Sequence, residues 1–428
     1  MLGIAGPAHA GAFQNSIQSA GSASVSTAGE TAIAEDAATV YYNPAGMTSL
    51  HRPEIEFAGA MVQMSSHFGN GGTTDALGGA ALGTSGDKDQ NFPVPDFFAV
   101  MPLSRRLSLG LGLFSPFGQA NNYPSGWVGR YQLQKISLKT ADIDPAIAYR
   151  LTSSLSVGGG IDIQYAHFTR ANALDFGSLC FASLNPTACT NMGLVPQGAD
   201  GRLAVAAADW NVGFNLGILY DSNPFTHVGL SYRSAVSHDL SGIARFQVPT
   251  AAAPLLAGGM FQETDLTANI TLPEVIAFGL SQRIDDNFTL LIDIDGTRWS
   301  RLRQLTLNFA NPAQPDQGLI LNWHDSARAA VGGIYGIADD IELRGGVSYD
   351  QTPVPTTFRN ADIPDTNEVM VSAGLSYRFD DDVSALISYS HGEFASAPVN
   401  LAMFGAGTLA GRFQRRSDAI GLQTRIRF

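Results

Sequence analysis

Eight histidines, two cysteines and a scatter of acidic turns are the residues of this 428-residue chain that could do chemistry. His9, His51, His67, His167, His227, His238, His324 and His391 are the possible general bases, and a hydrolase would need one of them beside a nucleophile. None sits in a recognised Ser or Asp motif. Cys180 and Cys189, in "LCFASLNPTACTN", have no histidine nearby and do not complete a zinc shell. In an exported protein they predict a small disulfide ring in a polar loop, worth about 2–3 kcal/mol to that loop. The acidic turns "RIDDN" (283–287), "IADD" (337–340) and "FDDD" (379–382) read as solvated turns, with calcium as the alternative. No catalytic residue, metal ligand or cofactor is assigned.

The elements that must position these residues are strands. In "RLSLGLGLF" (106–114), Leu107, Leu109, Leu111 and Leu113 point one way, and Ser108, Gly110 and Gly112 the other. "LSVGGGIDIQYAH" (155–167), "WNVGFNLGILY" (210–220) and "VMVSAGLSYRF" (369–379) alternate in the same way, with Leu219 an exception. Period 2 sustained over about ten residues is the signature of a membrane-barrel strand. The apolar sets often end in aromatics, Trp210, Tyr220, Tyr335, Tyr349, Tyr377 and Tyr389 among them, as at a lipid–water interface. The opposite set is small and polar, as a lumen allows.

Composition agrees. Charged residues make up 15% of the chain, hydrophobic residues 45%, and no run of 18 apolar residues exists, so a spanning helix is not expected. The net charge of −13, with Lys and Arg scattered, argues against nucleic acid as a partner. Short connections near 103–106, 150–154, 221–225, 283–287, 337–340 and 379–382 alternate with long ones near 65–92, 118–134, 170–204, 238–264, 300–325, 350–367 and 391–416. Together they predict an all-β transmembrane barrel of about 14 antiparallel strands, over residues 53–428, with both ends on the periplasmic side. The last strand, "SDAIGLQTRIRF", stops on Phe428, like an outer-membrane assembly signal. At the other end, Ala8-His9-Ala10 fits a cleavage site, so residues 1–10 read as a signal-peptide remnant.

Residues 11–52 do not alternate. "SIQSAGSASVSTAGETAIAEDAATVYYNPAGMTSL" is rich in Ala, Ser and Gly and carries Asn43-Pro44-Ala45. It suits short helices and turns folded into the lumen, because a barrel this wide leaks unless something blocks it. A periplasmic tail is the alternative.

"GAF" followed by "AGETAIAEDAATVYYNPAGMTSL" resembles the plug of the FadL-type long-chain fatty acid outer-membrane transporters, a family that includes TodX-like hydrocarbon channels. The likeness continues in "LGLFSPFGQANNYPSGWVGRY" (111–131), "DWNVGFNLGILYD" (209–221), "LTANITLPEVIAFGL" (266–280), "RGGVSYDQTPVP" (344–355) and "LISYSHGEF" (386–394). The resemblance implies a plugged outer-membrane barrel that binds a hydrophobic molecule in its lumen and releases it sideways, by diffusion, through a gap at a kinked third strand. It implies a long-chain fatty acid or another hydrophobic small molecule as ligand, lipid or detergent as surroundings, and a monomer. Aromatic or alkane hydrocarbons are the alternative cargo. A general porin would instead show charged constriction residues and no plug, and an outer-membrane lipid hydrolase a nucleophile beside a histidine.

The resemblance places the kink near Phe117-Gly118, where the leucine dyad breaks at "FSPFG". Pro116 removes a ladder donor there and Gly118 weakens the strand, and an ordinary strand end is the alternative. Phe13 would be a movable apolar stopper in the lumen pocket. Asn43 would bond backbone groups that Pro44 and a helix end leave unmet. Arg170 could pair with a carboxylate headgroup; otherwise it is a solvated arginine at the rim.

Overall fold

The computed structural model describes residues 11–428. Its sheet is polar inside and apolar outside. In the leucine dyad Ser108 is 2% exposed, whereas Leu109, Leu111 and Leu113 are each about 40% exposed on the outer face. Trp210, Val212, Phe214, Leu216, Ile218 and Tyr220 are likewise exposed in a row. An apolar surface of this extent needs lipid against it, so the alternation that suggested a barrel has its apolar phase outward.

Fourteen strands form the wall. They are β1 (Glu54–Asn70), β2 (Lys88–Pro102), β3 (Leu107–Phe114, resuming as Gly118–Asn122), β4 (Lys135–Arg150) and β5 (Leu155–Asp175). Next come β6 (Asp200–Asn223), β7 (Thr226–Arg233 and Val236–Gln247), β8 (Thr264–Leu272 and Val275–Arg283) and β9 (Phe288–Thr297). The ring is completed by β10 (Ser326–Ala338), β11 (Ile341–Asp350), β12 (Glu368–Arg378), β13 (Val383–Phe394) and β14 (Gly407–Arg427). All neighbours are antiparallel, and β14 closes on β1 from Glu54↔Arg427 to Asn70↔Gly411. Closure pairs the first strand with the last, which would otherwise be the two edges of an open sheet.

The short connections lie where they were expected. The strands are longer than the alternation suggested, however. β1 and β2 run to Asn70 and from Lys88, and β5 and β6 pair up to Asp175↔Asp200. Beyond the lipid band the outer face meets water, so alternation no longer has to be apolar; Arg412, Gln414 and Arg416 are exposed on the outer part of β14 while Phe413 and Arg415 are buried.

The cysteine segment is also more ordered than a polar loop. It forms two short helices, Phe176–Ser183 and Pro186–Asn191, capped by Asp175 (accepting from Ser178 N–H, 3.0 Å) and Asn185 (accepting from Thr187 N–H, 2.8 Å). Cys180 and Cys189 are bonded and fully buried with Phe176, Leu194 and Ala252. Alkylation of the denatured, unreduced protein should therefore label no thiol, and labelling after reduction should find two. Two free thiols before reduction would contradict the bond.

The N-terminal segment lies inside the ring. Residues 11–50 are almost all buried and form four short elements, Ala20–Ser24, Glu30–Ile33, Thr39–Tyr42 and the 3-10 turn Pro44–Ser49. Helices this short do not persist alone. They are held by polar contacts to strands all round the barrel. Thr31 N–H donates to Asp293 on β9 (3.0 Å), Gly21 N–H to Gln423 on β14 (2.7 Å), Thr48 Oγ1 to Ser156 on β5 (2.7 Å), and Ser26 Oγ to Ser372 on β12 (2.8 Å). Arg344 on β11 pairs with Glu35.

Candidate functional site

Asn43, Pro44 and Ala45 sit together on the inner face of β5–β7. Asn43 caps the following turn, accepting from Ala45 N–H (3.1 Å), and its amide donates to Thr31 O (2.7 Å) and to Ile218 O on β6 (3.0 Å). Pro44 occupies the first position of the turn, where its missing N–H leaves nothing unmet. The backbone comes this close because the wall has glycines there. A Cβ on Gly158 would lie 2.5 Å from Ala45 N, and one on Gly217 would lie 2.1 Å from Asn43 Oδ1. Gly158→Val is therefore expected to push the segment off the wall and expose residues 35–50 to added protease in an otherwise folded barrel. Unchanged resistance would mean the contact does not hold the segment.

Phe117 and Gly118 lie at a break in β3. The β2–β3 ladder ends at Phe97↔Leu113. Past Phe114 the chain turns inward; Gly118–Asn122 pairs with β4 alone, and Ala120 packs against Met64, Phe92 and Phe394, inner-face residues of β1, β2 and β13. Among the described residues, β2 from Lys88 to Asp96 keeps its ladder to β1 but has none to β3. Pro93 and Pro95 fall in this stretch, as prolines at a sheet edge do. Side chains span the opening near its outer end: Lys88 Nζ donates to Asn121 Oδ1 (2.5 Å) and Asn122 N–H to Gln90 Oε1 (3.3 Å).

The N-terminal segment takes up the backbone groups that the break frees. Gly118 N–H donates to Phe13 O (2.8 Å), Asn15 N–H to Pro116 O (2.7 Å), and Gln14 bridges Phe117 as a one-residue antiparallel partner. Asn15 and Gln18 both donate to Ser115 O (3.1 and 3.0 Å). The broken strand and the chain start thus satisfy each other's hydrogen bonds, as buried backbone requires.

Phe13 itself fills an apolar pocket. Its ring lies 4.7 Å from that of Trp299, 5.6 Å from Trp323 and 6.1 Å from Phe117. Leu138, Phe168, Leu240, Leu266 and Ile363 extend the same cluster. A separate cavity of about 50 Å³ between this segment and β6–β10 has a mixed lining, with Tyr41, Asp293, Asp295 and Arg328 beside Pro44, Leu216 and Val275. Ala12 N–H donates to Asp365 Oδ2 (3.3 Å) from the 351–367 connection, which also accepts from Thr352 Oγ1 (2.6 Å) and faces Arg415 (3.5 Å).

Arg170 is not at a solvated rim. It is buried near the outer end of β5, and its guanidinium reaches Asp362 (3.3 Å), Asn172 (3.1 Å) and Gln132 O (2.5 Å). It lies apart from Phe13 in the contacts it makes, as Asn43 does. Trp299, Trp323 and Asp365 were not picked out from the sequence. A second irregularity was missed as well: between Ala208↔Ser241 and Asn215↔Arg233, six residues of β6 (209–214) face seven of β7 (234–240). Side chains close that stretch, with Asn211 donating to Ser237 O (2.5 Å) and His238 set between Asp209 (3.2 Å) and Gln164 (2.9 Å). His67, His227 and His391 also face carboxylates.

The family model described as outer membrane protein transport protein (OMPP1/FadL/TodX) matches residues 1–428. A putative outer membrane protein of Neisseria meningitidis serogroup B is 29% identical over 444 residues, covering 98% of this chain and 95% of that protein. The long-chain fatty acid transport protein of Escherichia coli O6:H1 is 30% identical over 386 residues, covering 85% and 83%. Among solved structures, a Pseudomonas aeruginosa FadL homologue superposes with a TM-score of 0.88 at 19% identity, covering 97% of this chain and 99% of that one.

Proposed function

The chain belongs to the outer membrane protein transport family (OMPP1/FadL/TodX) of outer-membrane β-barrels, and we propose that it carries hydrophobic molecules, above all long-chain fatty acids, inward by passive diffusion. The observation that carries this reading is the junction of the broken β3 with Phe13. An aromatic pocket in the lumen, the residue that fills it and an interruption in the wall meet at one place, linked by the Gly118–Phe13 hydrogen bond. In this reading residues 11–52 are the plug, tied to the wall by Asn43-Pro44-Ala45 and the polar contacts of residues 21–48. A ligand displaces Phe13, and because Phe13 is bonded to Gly118, its departure loosens the kinked segment. The ligand then passes between β2 and β3 into the bilayer. No catalytic group or cofactor takes part, and one chain completes the path. The signal-peptide reading of residues 1–10 lies outside the described residues.

One observation favours the hydrocarbon alternative. Arg170, the cation expected to meet a carboxylate headgroup, is committed to Asp362. Uptake of labelled oleate and of labelled toluene, in cells lacking other such transporters and expressing this chain, separates the two cargoes. Mass spectrometry of ligand extracted from the purified protein provides an independent check. If neither compound enters faster than in cells without the chain, and no hydrophobic molecule co-purifies, the reading fails.

Asp365 gives the reading a pH dependence. Burial pushes its carboxyl up to about 6, against the pull of Arg415, Thr352 and the Ala12 N–H. Between the unfolded value near 4 and about 6 the folded protein binds the extra proton, so this group's contribution to stability falls as pH rises through that window. Above it, the ionised carboxylate is the stronger acceptor for Ala12. The chain start is therefore held harder at pH 7 than at pH 5. Uptake of a neutral probe such as decane should be faster at pH 5, and Asp365→Asn should abolish the difference. An unchanged pH profile in that variant would remove Asp365 from the gate.

A further inference from the structure

The wall opening between β2 and β3 carries a cation at its outer end. On β2 the even-numbered residues face inward: Phe92, Val94 and Phe98 are buried, and Lys88 and Gln90 share their phase. Lys88 is half-buried. Its ammonium donates across the opening to Asn121 Oδ1 (2.5 Å) and lies 3.8 Å from the centre of the Tyr123 ring. Both partners are neutral. The acids beside it in sequence are directed elsewhere: Asp87 pairs with His67 (2.7 Å), and Asp89 faces outward. The charged group whose field acts on Lys88 is Arg415, a second cation. A half-buried ammonium with neutral contacts beside another cation is unfavourable, and an anion placed against it would offset that.

Apolar surface adjoins this ammonium. Tyr123 is 4% exposed and stacks on Trp127 with ring centres 4.1 Å apart, and Phe68 and Phe413 pack beside them. These rings belong to the same continuous cluster as Phe13 and Phe117. An ammonium at one end of an apolar cluster that runs to the lumen pocket matches a molecule with an anionic head and a long apolar tail. The other cations of this region are more firmly held. Arg170 is paired with Asp362, and Arg415 faces Asp365. Arg359 keeps its charge, but it is buried and donates to the carbonyls of Asp365, Pro398 and Val354, which ties the 351–367 connection to the Ala397–Met403 strand.

We propose that Lys88 receives the carboxylate of a fatty acid, exchanging Asn121 Oδ1 for the anion while the acyl tail lies along the rings of Tyr123, Phe68 and Phe413. This rests on the lumen being the ligand site and adds the residue that tells a carboxylate from a hydrocarbon. A hydrogen bond between two charged groups is stronger than one from an ammonium to a neutral amide, so the exchange favours the anion. Because Lys88 stands at the outer end of the opening, the tail can pass between β2 and β3 into the bilayer ahead of the head. A hydrocarbon uses the same opening with Lys88 still on Asn121.

The test measures binding of decanoate and of 1-decanol, equal in chain length, to the purified protein in a non-ionic detergent at pH 8. The proteins are the wild type, Lys88→Met, Lys88→Arg and Phe13→Ala. Methionine keeps an unbranched stem and removes the charge. Lys88→Met should weaken decanoate by about tenfold, the worth of a hydrogen bond to a charged group, with 1-decanol altered less than about twofold. Lys88→Arg keeps the charge and should stay within about threefold of the wild type on decanoate. The inference is overturned if Lys88→Met leaves decanoate binding unchanged, or if it weakens both probes equally, which would make Lys88 only a latch across the opening. Phe13→Ala tests the premise separately: if binding of neither probe changes, the lumen pocket is not the ligand site and the proposed function falls with it. If Phe13→Ala alters both probes while Lys88→Met alters neither, only the assignment of Lys88 fails. Should Lys88→Met not fold, Lys88→Gln, which can still bond Asn121, gives the same comparison.

Discussion

Gly118→Val is expected to cut uptake of a hydrophobic ligand by about tenfold to a hundredfold while leaving the barrel folded. Gly118 is buried at the break in β3, where its N–H donates to Phe13 O and its neighbours are Phe117 in the pocket and Gln119, whose amide donates to Asp362 O (2.9 Å). A valine adds a branched side chain to a segment already packed between β4 and the inner faces of β1 and β2. Overpacking of this kind costs about 1–3 kcal/mol, and each 1.4 kcal/mol on a barrier is tenfold in rate. The added bulk would stand in the proposed passage between Lys88–Asp96 of β2 and the displaced part of β3. The alternative exit runs down through the N-terminal segment, past polar contacts such as Thr31–Asp293 and Gln423–Asp36 (2.9 Å). An apolar chain loses about 25 cal/mol for each Å² it exposes to water on such a route. If Gly118→Val transports at the wild-type rate, while cross-linking residues 11–50 to the wall stops uptake, the lateral route is wrong.

The barrel was legible because lipid imposes a rule on every second residue. Leu109, Leu111 and Leu113 had to be apolar, and Ser108 had not. Even the exception at Leu219 has a cause: it points inward, is 1% exposed, and packs against Ala34 and Ala45 of the N-terminal segment. The outer strand ends were not legible, since Arg412, Gln414 and Arg416 obey no such rule in water. The helices around the disulfide had readable signals in Asp175-Phe176-Gly177-Ser178 and Asn185-Pro186-Thr187, which are N-cap patterns obscured by reading the segment as a polar loop. The site was half legible. The break at Pro116 showed in the sequence because it interrupts a regular pattern. Trp299 and Trp323 lie near the two ends of a long connection, outside its alternating stretch Gln304–Phe309, and only the inward folding of that connection brings them to Phe13. Arg170 looked like a free cation because its partner, Asp362, is 192 residues away.

Phe13→Ala is expected to tighten lumen binding of an apolar ligand by about tenfold to a hundredfold. Phe13 is 2% exposed, and its ring contacts Trp299, Trp323 and Phe117. A ligand that takes its place must first expel it, and removing a buried phenylalanine from apolar surroundings costs about 1.5–3 kcal/mol. That cost lowers the apparent affinity of the wild type by the corresponding factor, because the binding-competent state is a minor one. Alanine has little to expel. Its backbone still accepts from Gly118 N–H, so the chain start stays on β3 and the wall is not opened by the substitution itself. Tighter binding should therefore come without faster release, and net uptake at saturating ligand should fall, since the coupling between ligand entry and loosening of the kink has lost the bulky group that drives it. Calorimetric titration with decane and single-cell uptake measure the two effects separately. Equal or weaker binding would show that Phe13 packs the lumen without competing with ligand, and unchanged uptake with tighter binding would place the release signal elsewhere in the chain start, at Ala12–Asp365 or Asn15–Pro116.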